Sequence, residues 1–179
     1  VTKADPDEDG DGDIVTLRIP NKEIASIFQD SVVRFFTDTV SSDTIKELIE
    51  SMWDKDEIRS GEILSGLLWN TISYNDYHED YYHAFLAGVF VGRGYEVESN
   101  KEKGLGRPDI LLKDRRNRRA LIVEAKKSKK KADLDKDCDE ALKQIADERY
   151  AEGIEGYEQI LCYGAAFFQK QAKVKLMTE

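Results

Sequence analysis

The chain has 179 residues, 40% of them hydrophobic and 35% charged, with a net charge of −9. That length accommodates one domain, or one domain with a helical extension, around a single core. It has no run apolar enough to span a bilayer and no basic-then-apolar leader, and Cys138, Cys162 and the two histidines are too scattered for a zinc site; a cytoplasmic protein with buried, reduced thiols is the expectation.

Residues 1–13 are acidic and rich in turn formers, and Val1 in place of an initiator methionine is what a fragment or processed chain would show. Asp7, Asp9 and Asp11 with Gly12 imitate the opening of a calcium loop. The twelfth position falls on Arg18, where a bidentate glutamate is needed, so the segment reads as a hairpin loop with Ile14–Ile19 as its second strand. Asn21 then caps a helix carrying Ile24, Ile27, Phe28, Val32 and Phe35. Ser42 or Asp43 caps another with Ile45, Leu48, Ile49 and Met52, and a third, over 56–73, presents Ile58, Leu64, Leu67, Leu68 and Ile72. These stripes predict a small helical bundle packed on the C-terminal part of the chain.

A fourth helix is predicted over 80–94, with Tyr82, Phe85, Leu86, Val89 and Phe90 on one stripe and Gly92 and Gly94 ending it. Residues 95–99 alternate as a short strand. A hairpin comes next, with Asp109–Lys113 running out, a polar turn over 114–118, and Ala120–Lys126 running back. A polar crossover leads into a helix over 133–150 carrying Leu134, Cys138, Leu142 and Ile145, then a buried strand over 159–163 and a last strand over 173–176. From residue 80 onward the order is αβββαβ with an extra strand, an α/β fold with a mixed sheet flanked by helices.

The hairpin carries the chemistry. Fourteen residues separate Asp109 from Glu124, and alternation along the returning strand puts Glu124 and Lys126 on one face. Pairing of the two strands brings Asp109 to the same patch. Two carboxylates and one ammonium can hold a hard divalent cation through oxygens and leave a lysine beside the bound water. Plainer roles exist for each carboxylate. Asp109 can cap the turn after Pro108, and Glu124 can be neutralised by Lys126 or a nearby arginine in a structural ion pair.

Pro108-Asp109 followed by Glu124-Ala125-Lys126 resembles the PD-(D/E)XK signature of the restriction-endonuclease-like nuclease superfamily. The ordered set Ile72-Ser73-Tyr74, Tyr82-His83-Ala84-Phe85, Gly104 to Asp109, Glu124-Ala125-Lys126 and Tyr163-Gly164-Ala165-Ala166-Phe167 is similar to the nuclease-like domain that follows an AAA-ATPase-like module in many bacterial proteins. Leu17 to Ile24 is similar to the segment where that ATPase-like part ends. The resemblance covers nearly the whole chain. It implies a hairpin remnant of the ATPase-like module over 1–20, a helical extension over 21–73, and a restriction-endonuclease-like domain over 74–179.

The same resemblance implies that Asp109 and Glu124 bind Mg²⁺ or Mn²⁺, with the Ala125 carbonyl completing the shell. Lys126 would orient or help deprotonate the attacking water. An ordinary lysine is a poor base, so the metal would do most of the activation. His83 is either a further metal ligand or a structural histidine beside an apolar stripe, with Glu79 and Asp80 as substitutes from the same helix. Gln144 would touch the water or a phosphate, although the Gln-x-x-x-Tyr spacing of such nucleases is not met, the next tyrosine being Tyr150.

Charge is distributed to match. Between Lys101 and Lys131 thirteen Lys or Arg face four Asp or Glu, a balance of +9 that leaves −18 for the rest of the chain. Lys127, Lys129 and Lys130 read as phosphate contacts or as a solvated loop, and Arg107 as a phosphate contact or a partner of Glu124. There is no GxxxxGK[ST] loop for ATP, and Gly104-Leu105-Gly106 reads as a bend into the metal site. The expectation is a metal-dependent nuclease acting on DNA, tethered to or beside an ATPase-like module, off the membrane, and compatible with a homodimer, since double-strand cleavage from one centre per chain needs two chains. The alternatives are an inactive nuclease fold that binds nucleic acid or a partner protein, and a purely structural domain.

Overall fold

The computed structural model describes residues 41–71, 79–91, 94–99 and 107–178. The hairpin and first helix read over residues 1–35, the ATPase-like segment at 17–24, Ile72-Ser73-Tyr74, Gly92, the lysines at 101 and 103 and Gly104-Leu105-Gly106 lie outside the described residues, as do the side chains of Glu79 and Asp80. In chain order the elements are α1 (Ser42–Trp53), α2 (Glu57–Thr71), α3 (Glu79–Phe90), β1 (Glu96–Glu98), β2 (Ile110–Asp114), β3 (Arg119–Lys127), α4 (Leu134–Asp147), β4 (Gln159–Phe168) and β5 (Gln171–Leu176). Single 3₁₀ turns stand at Lys131–Asp133 and Tyr150–Gly153.

The strands form one sheet in the order β1-β2-β3-β4-β5, with β3 and β4 parallel and every other pair antiparallel. The mixed sheet with flanking helices is the expected α/β arrangement. Alternation divides β3 between two layers. Leu121, Val123 and Ala125 join Ile45, Leu48, Leu64, Leu68, Phe85 and Phe90 from α1, α2 and α3, whereas Ala120 and Ile122 pack with Ile145 and Tyr150 on the α4 side. The sheet is thus covered on both faces, and the nearly unbroken apolar run of β4 is what a doubly buried central strand requires.

Local chemistry sets the element ends. Ser41 accepts from the Asp43 amide at 3.1 Å to cap α1, whose Ile45, Leu48, Ile49 and Met52 are all buried at helical spacing. The β2–β3 turn is held by Asp114. Its carboxylate accepts from the Asn117 amide at 3.1 Å, from Asn117 Nδ2 at 2.7 Å and from Arg119 Nε at 2.9 Å. Burial works against that charge, but these hydrogen bonds together hold the Asp114 carboxyl below its ordinary range. The guanidinium of Arg119 also lies 4.3 Å over the Trp53 ring, tying the hairpin to α1. Tyr82 stacks on Phe167 at 4.8 Å and donates to the Gln169 carbonyl at 2.9 Å, which fixes α3 against β4.

The outer side of β5 is covered by α2. The Ala172 amide donates to Ser65 Oγ at 2.9 Å and the Leu176 amide to Glu57 Oε1 at 2.7 Å. Gly61 lies between them, so close that a β-carbon there would stand 3.4 Å from the Ala172 carbonyl oxygen. Side chains of a helix therefore take the place of a sixth strand along this edge.

Several boundaries differ from the sequence expectations. The long helix expected over 133–150 ends at Asp147, because Arg149 adopts a left-handed backbone (φ 53°) and a 3₁₀ turn begins at Tyr150. The helix expected over 80–94 ends at Phe90. Strand β4 continues five residues beyond Tyr163 because Gly164, Ala165, Ala166 and Phe167 remain buried between layers, and β5 begins at polar Gln171. Both cysteines are free and buried, as expected.

Candidate active site

The site lies where β2 begins and β3 is still running. Ile110 pairs with Val123, so Asp109, in the bend just before β2, falls beside Glu124. The Asp109 amide donates to Glu124 Oε2 at 3.3 Å, and the Ala125 amide donates to Asp109 Oδ2 at 2.8 Å. In a strand the N–H and C=O of one residue project to the same side. The Ala125 carbonyl therefore faces the side where Asp109 sits, beyond the end of β2.

Two further layers contribute one residue each. From α3, His83 Nδ1 approaches Asp109 Oδ1 at 3.0 Å. From α4, Gln144 Oε1 accepts a short hydrogen bond from Lys126 Nζ, while Lys126 Nζ also lies 3.4 Å from Glu124 Oε1. The far end of Gln144 donates through Nε2 to the Tyr150 hydroxyl at 3.3 Å. Polar contacts thus run continuously from His83 through Asp109, Ala125, Glu124, Lys126 and Gln144 to Tyr150.

Electrostatics single out Glu124. It is 3% exposed. Burial first, and the Asp109 carboxylate second, push its carboxyl up to about 7, with Lys126 pulling partly the other way. Burial likewise raises the Tyr150 phenol, partly offset by the hydrogen bond from Gln144. A pair of adjacent carboxylates, one of them desolvated, is a poor arrangement alone and a good one around a positive ion. The donor set on offer, two carboxylates, a backbone carbonyl and a nearby imidazole, suits Mg²⁺ or Mn²⁺. Among the described residues no three His, Cys, Asp or Glu side chains form a ready-made cage, so oxygens from backbone, water or substrate would fill the remaining positions.

A model of the PD-(D/E)XK nuclease superfamily matches residues 77–176, more than half of the chain. The chain belongs to that superfamily. No curated protein and no solved structure matches it significantly. In this PD-(D/E)XK domain the motif residues Asp109, Glu124 and Lys126 stand together as the spacing predicted, and Ala125, His83 and Gln144 join them. Arg107 is exposed, two residues before Asp109, and among the described contacts it is Lys126 that pairs with Glu124. Lys127, Lys129 and Lys130 are exposed just beyond the motif lysine, at and after the end of β3.

Two contributors were not singled out from sequence. Tyr150 does not meet the expected spacing from Gln144, yet the left-handed turn at Arg149 folds it back beside that glutamine. Gly164 is the register partner of Glu124 on β4. A β-carbon there would meet the Cys138 carbonyl oxygen at 2.3 Å and Leu142 Cγ at 3.0 Å, so only glycine lets α4 lie this close to the sheet and deliver Gln144 to Lys126. The signal available was a lone glycine inside an apolar strand.

Proposed function

We propose that this domain is a divalent-metal-dependent nuclease that hydrolyses phosphodiester bonds, with DNA as its substrate. The observation that carries the proposal is the convergence of Asp109, Glu124 and Lys126 around a buried carboxylate whose ionisation is unfavourable without a cation. Asp109, Glu124 and the Ala125 carbonyl would hold Mg²⁺ or Mn²⁺. Bound there, the ion would supply Lewis-acid stabilisation of charge on the phosphate and make water more acidic.

The chain's own groups supply orientation and charge. Both oxygens of Asp109 are held, one by His83 and one by the Ala125 amide, which fixes the carboxylate's direction. In this arrangement His83 acts on Asp109, and it would become a ligand only by leaving that contact. Lys126 presents an ammonium next to Glu124, where it can stabilise negative charge developing on phosphate oxygens, and Gln144 steadies it. Arg107 and the exposed Lys127, Lys129 and Lys130 offer contacts to flanking phosphates. Attachment to an ATPase-like module is proposed on the sequence resemblance, that of residues 17–24 and of the ordered motif set from Ile72 to Phe167.

That both Asp109 oxygens are already engaged, by His83 and by the Ala125 amide, favours a second reading, a nuclease fold that binds nucleic acid without turnover. Calorimetric titration of Mn²⁺ into the wild type and Glu124→Ala, followed by plasmid and single-stranded DNA cleavage with the same samples, separates the two. Metal binding and cutting, both lost in the variant, support the nuclease. Salt-sensitive DNA binding without metal uptake or cutting supports the second reading.

A further inference from the structure

Beside the site a cleft of about 830 Å³ runs along the α4-side face of β2. Arg107 and Pro108, the two residues before Asp109, form its near end, and Tyr150 forms part of the wall. Tyr150 is linked through Gln144 to Lys126, so the cleft adjoins the proposed site, whose Asp109, Glu124 and Lys126 lie outside its lining. We propose that this cleft holds one unstacked nucleotide next to the phosphate being cut, so that the substrate is single-stranded or frayed nucleic acid rather than continuous duplex. The inference rests on the nuclease reading.

Size comes first. Sites that enclose small molecules measure about 300–1,000 Å³, a range that admits a single nucleotide. Lining chemistry comes second. Ile154 and Tyr157, both half-buried, supply flat and apolar surface on which any base can stack, over a floor to which buried Tyr150 contributes. Glu98, Glu155 and Lys113 also line the cleft. The lining charges balance, Glu98 and Glu155 against Arg107 and Lys113, and carboxylates accept from the amino groups of bases while a lysine donates to their carbonyls. Phosphates find their partners on Arg107 at the near end and on the lysines beyond β3. Rigidity comes third. Glu98 is ion-paired to Lys113, and Arg115, 2.6 Å from Glu96, also engages the Tyr157 hydroxyl, which ties the Tyr157 side of the cleft to the β1–β2 side.

The test uses a fluorescein-labelled single-stranded oligodeoxynucleotide and its blunt duplex. Anisotropy is read in EDTA, and cleavage of both is read in Mn²⁺. The proteins are the wild type, Tyr157→Ala, Tyr157→Phe and the cleft-filling Ile154→Trp, each checked by thermal unfolding. Wild type is expected to prefer the single strand. Tyr157→Ala and Ile154→Trp should weaken that binding about fivefold to a hundredfold, the loss of one stacked base, while Tyr157→Phe retains it. Equal affinity for both forms, indifference of the single strand to the two variants, or no single-strand binding at all overturns the cleft. If Tyr157→Ala does not fold, Ile154→Trp decides alone. Cleavage by every variant with unchanged strand preference leaves the nuclease standing and removes the cleft. Variant-sensitive binding without any Mn²⁺-dependent cleavage keeps the cleft and removes the nuclease.

Discussion

His83 and Asp109 meet where β2 begins, with imidazole Nδ1 3.0 Å from carboxylate Oδ1. One comes from α3 and the other from the bend before β2, so the contact ties two layers together at the motif. If His83 serves by orienting Asp109, His83→Asn, which puts an amide nitrogen near the position of Nδ1, should keep most of the Mn²⁺ affinity. His83→Ala should lose about tenfold to a hundredfold, as removal of a ligand's supporting partner does. Equal losses in both, measured by calorimetry, would point instead to direct ligation.

Glu124 makes the metal-free fold sensitive to pH. Its folded carboxyl titrates at about 7 against an ordinary 4.5. Between those values the folded protein keeps a proton that the unfolded chain has released, so stability falls as pH rises from about 4.5 to 7 and then levels off. The cost above pH 7 is on the order of 3 kcal/mol. Glu124→Gln should therefore be more stable than wild type at about pH 8 in EDTA and nearly equal to it at about pH 4.5. Urea unfolding at the two pH values reads this directly, and parallel profiles for the two proteins would refute it.

Gly164→Ala tests how closely α4 must lie. The new methyl would meet the Cys138 carbonyl oxygen at 2.3 Å, and backbone cannot yield as a flexible side chain can. Destabilisation of about 1–3 kcal/mol is expected. Because the same displacement draws Gln144 away from Lys126, activity should fall more than the loss of folded protein explains. A melting curve together with specific activity on the folded fraction checks both.

Gln144 and Tyr150 should separate binding from chemistry. Gln144→Ala removes the acceptor that steadies Lys126, and Tyr150→Phe removes only the hydroxyl to which Gln144 donates. Neither belongs to the proposed metal shell. Mn²⁺ affinity should change little, while kcat falls about fivefold to tenfold in Gln144→Ala and less in Tyr150→Phe, in keeping with about 1 kcal/mol per hydrogen bond. A parallel loss of Mn²⁺ affinity would place Gln144 in the metal shell.

Much of this site was legible because β-strand alternation is a strict rule. Once 109–113 and 120–126 read as two strands, Asp109, Glu124 and Lys126 had to share a place. The order of elements and the mixed sheet with helices on it followed from the same periodicities. The strand order and the division of β3 between two layers, Leu121, Val123 and Ala125 against Ala120 and Ile122, came from the structure. Tyr150 was hidden because the end of α4 is made by Arg149, a residue with no sequence preference for the left-handed turn it adopts. The extent of β4 was hidden because burial on both faces erases alternation, leaving Gly164 to look like a break when it is a point of contact.

The sheet has one border closed by helix side chains, and β1 forms the other among the described strands. Along β5 the amides of Ala172 and Leu176 are already taken by Ser65 and Glu57. At the other border stands β1, three residues long, whose Val97 and Glu98 line the cleft next to the site. A second polypeptide that lengthened this sheet would dock at β1, beside the proposed nucleotide cleft. Assembly by strand addition and access of substrate would then compete for the same doorway.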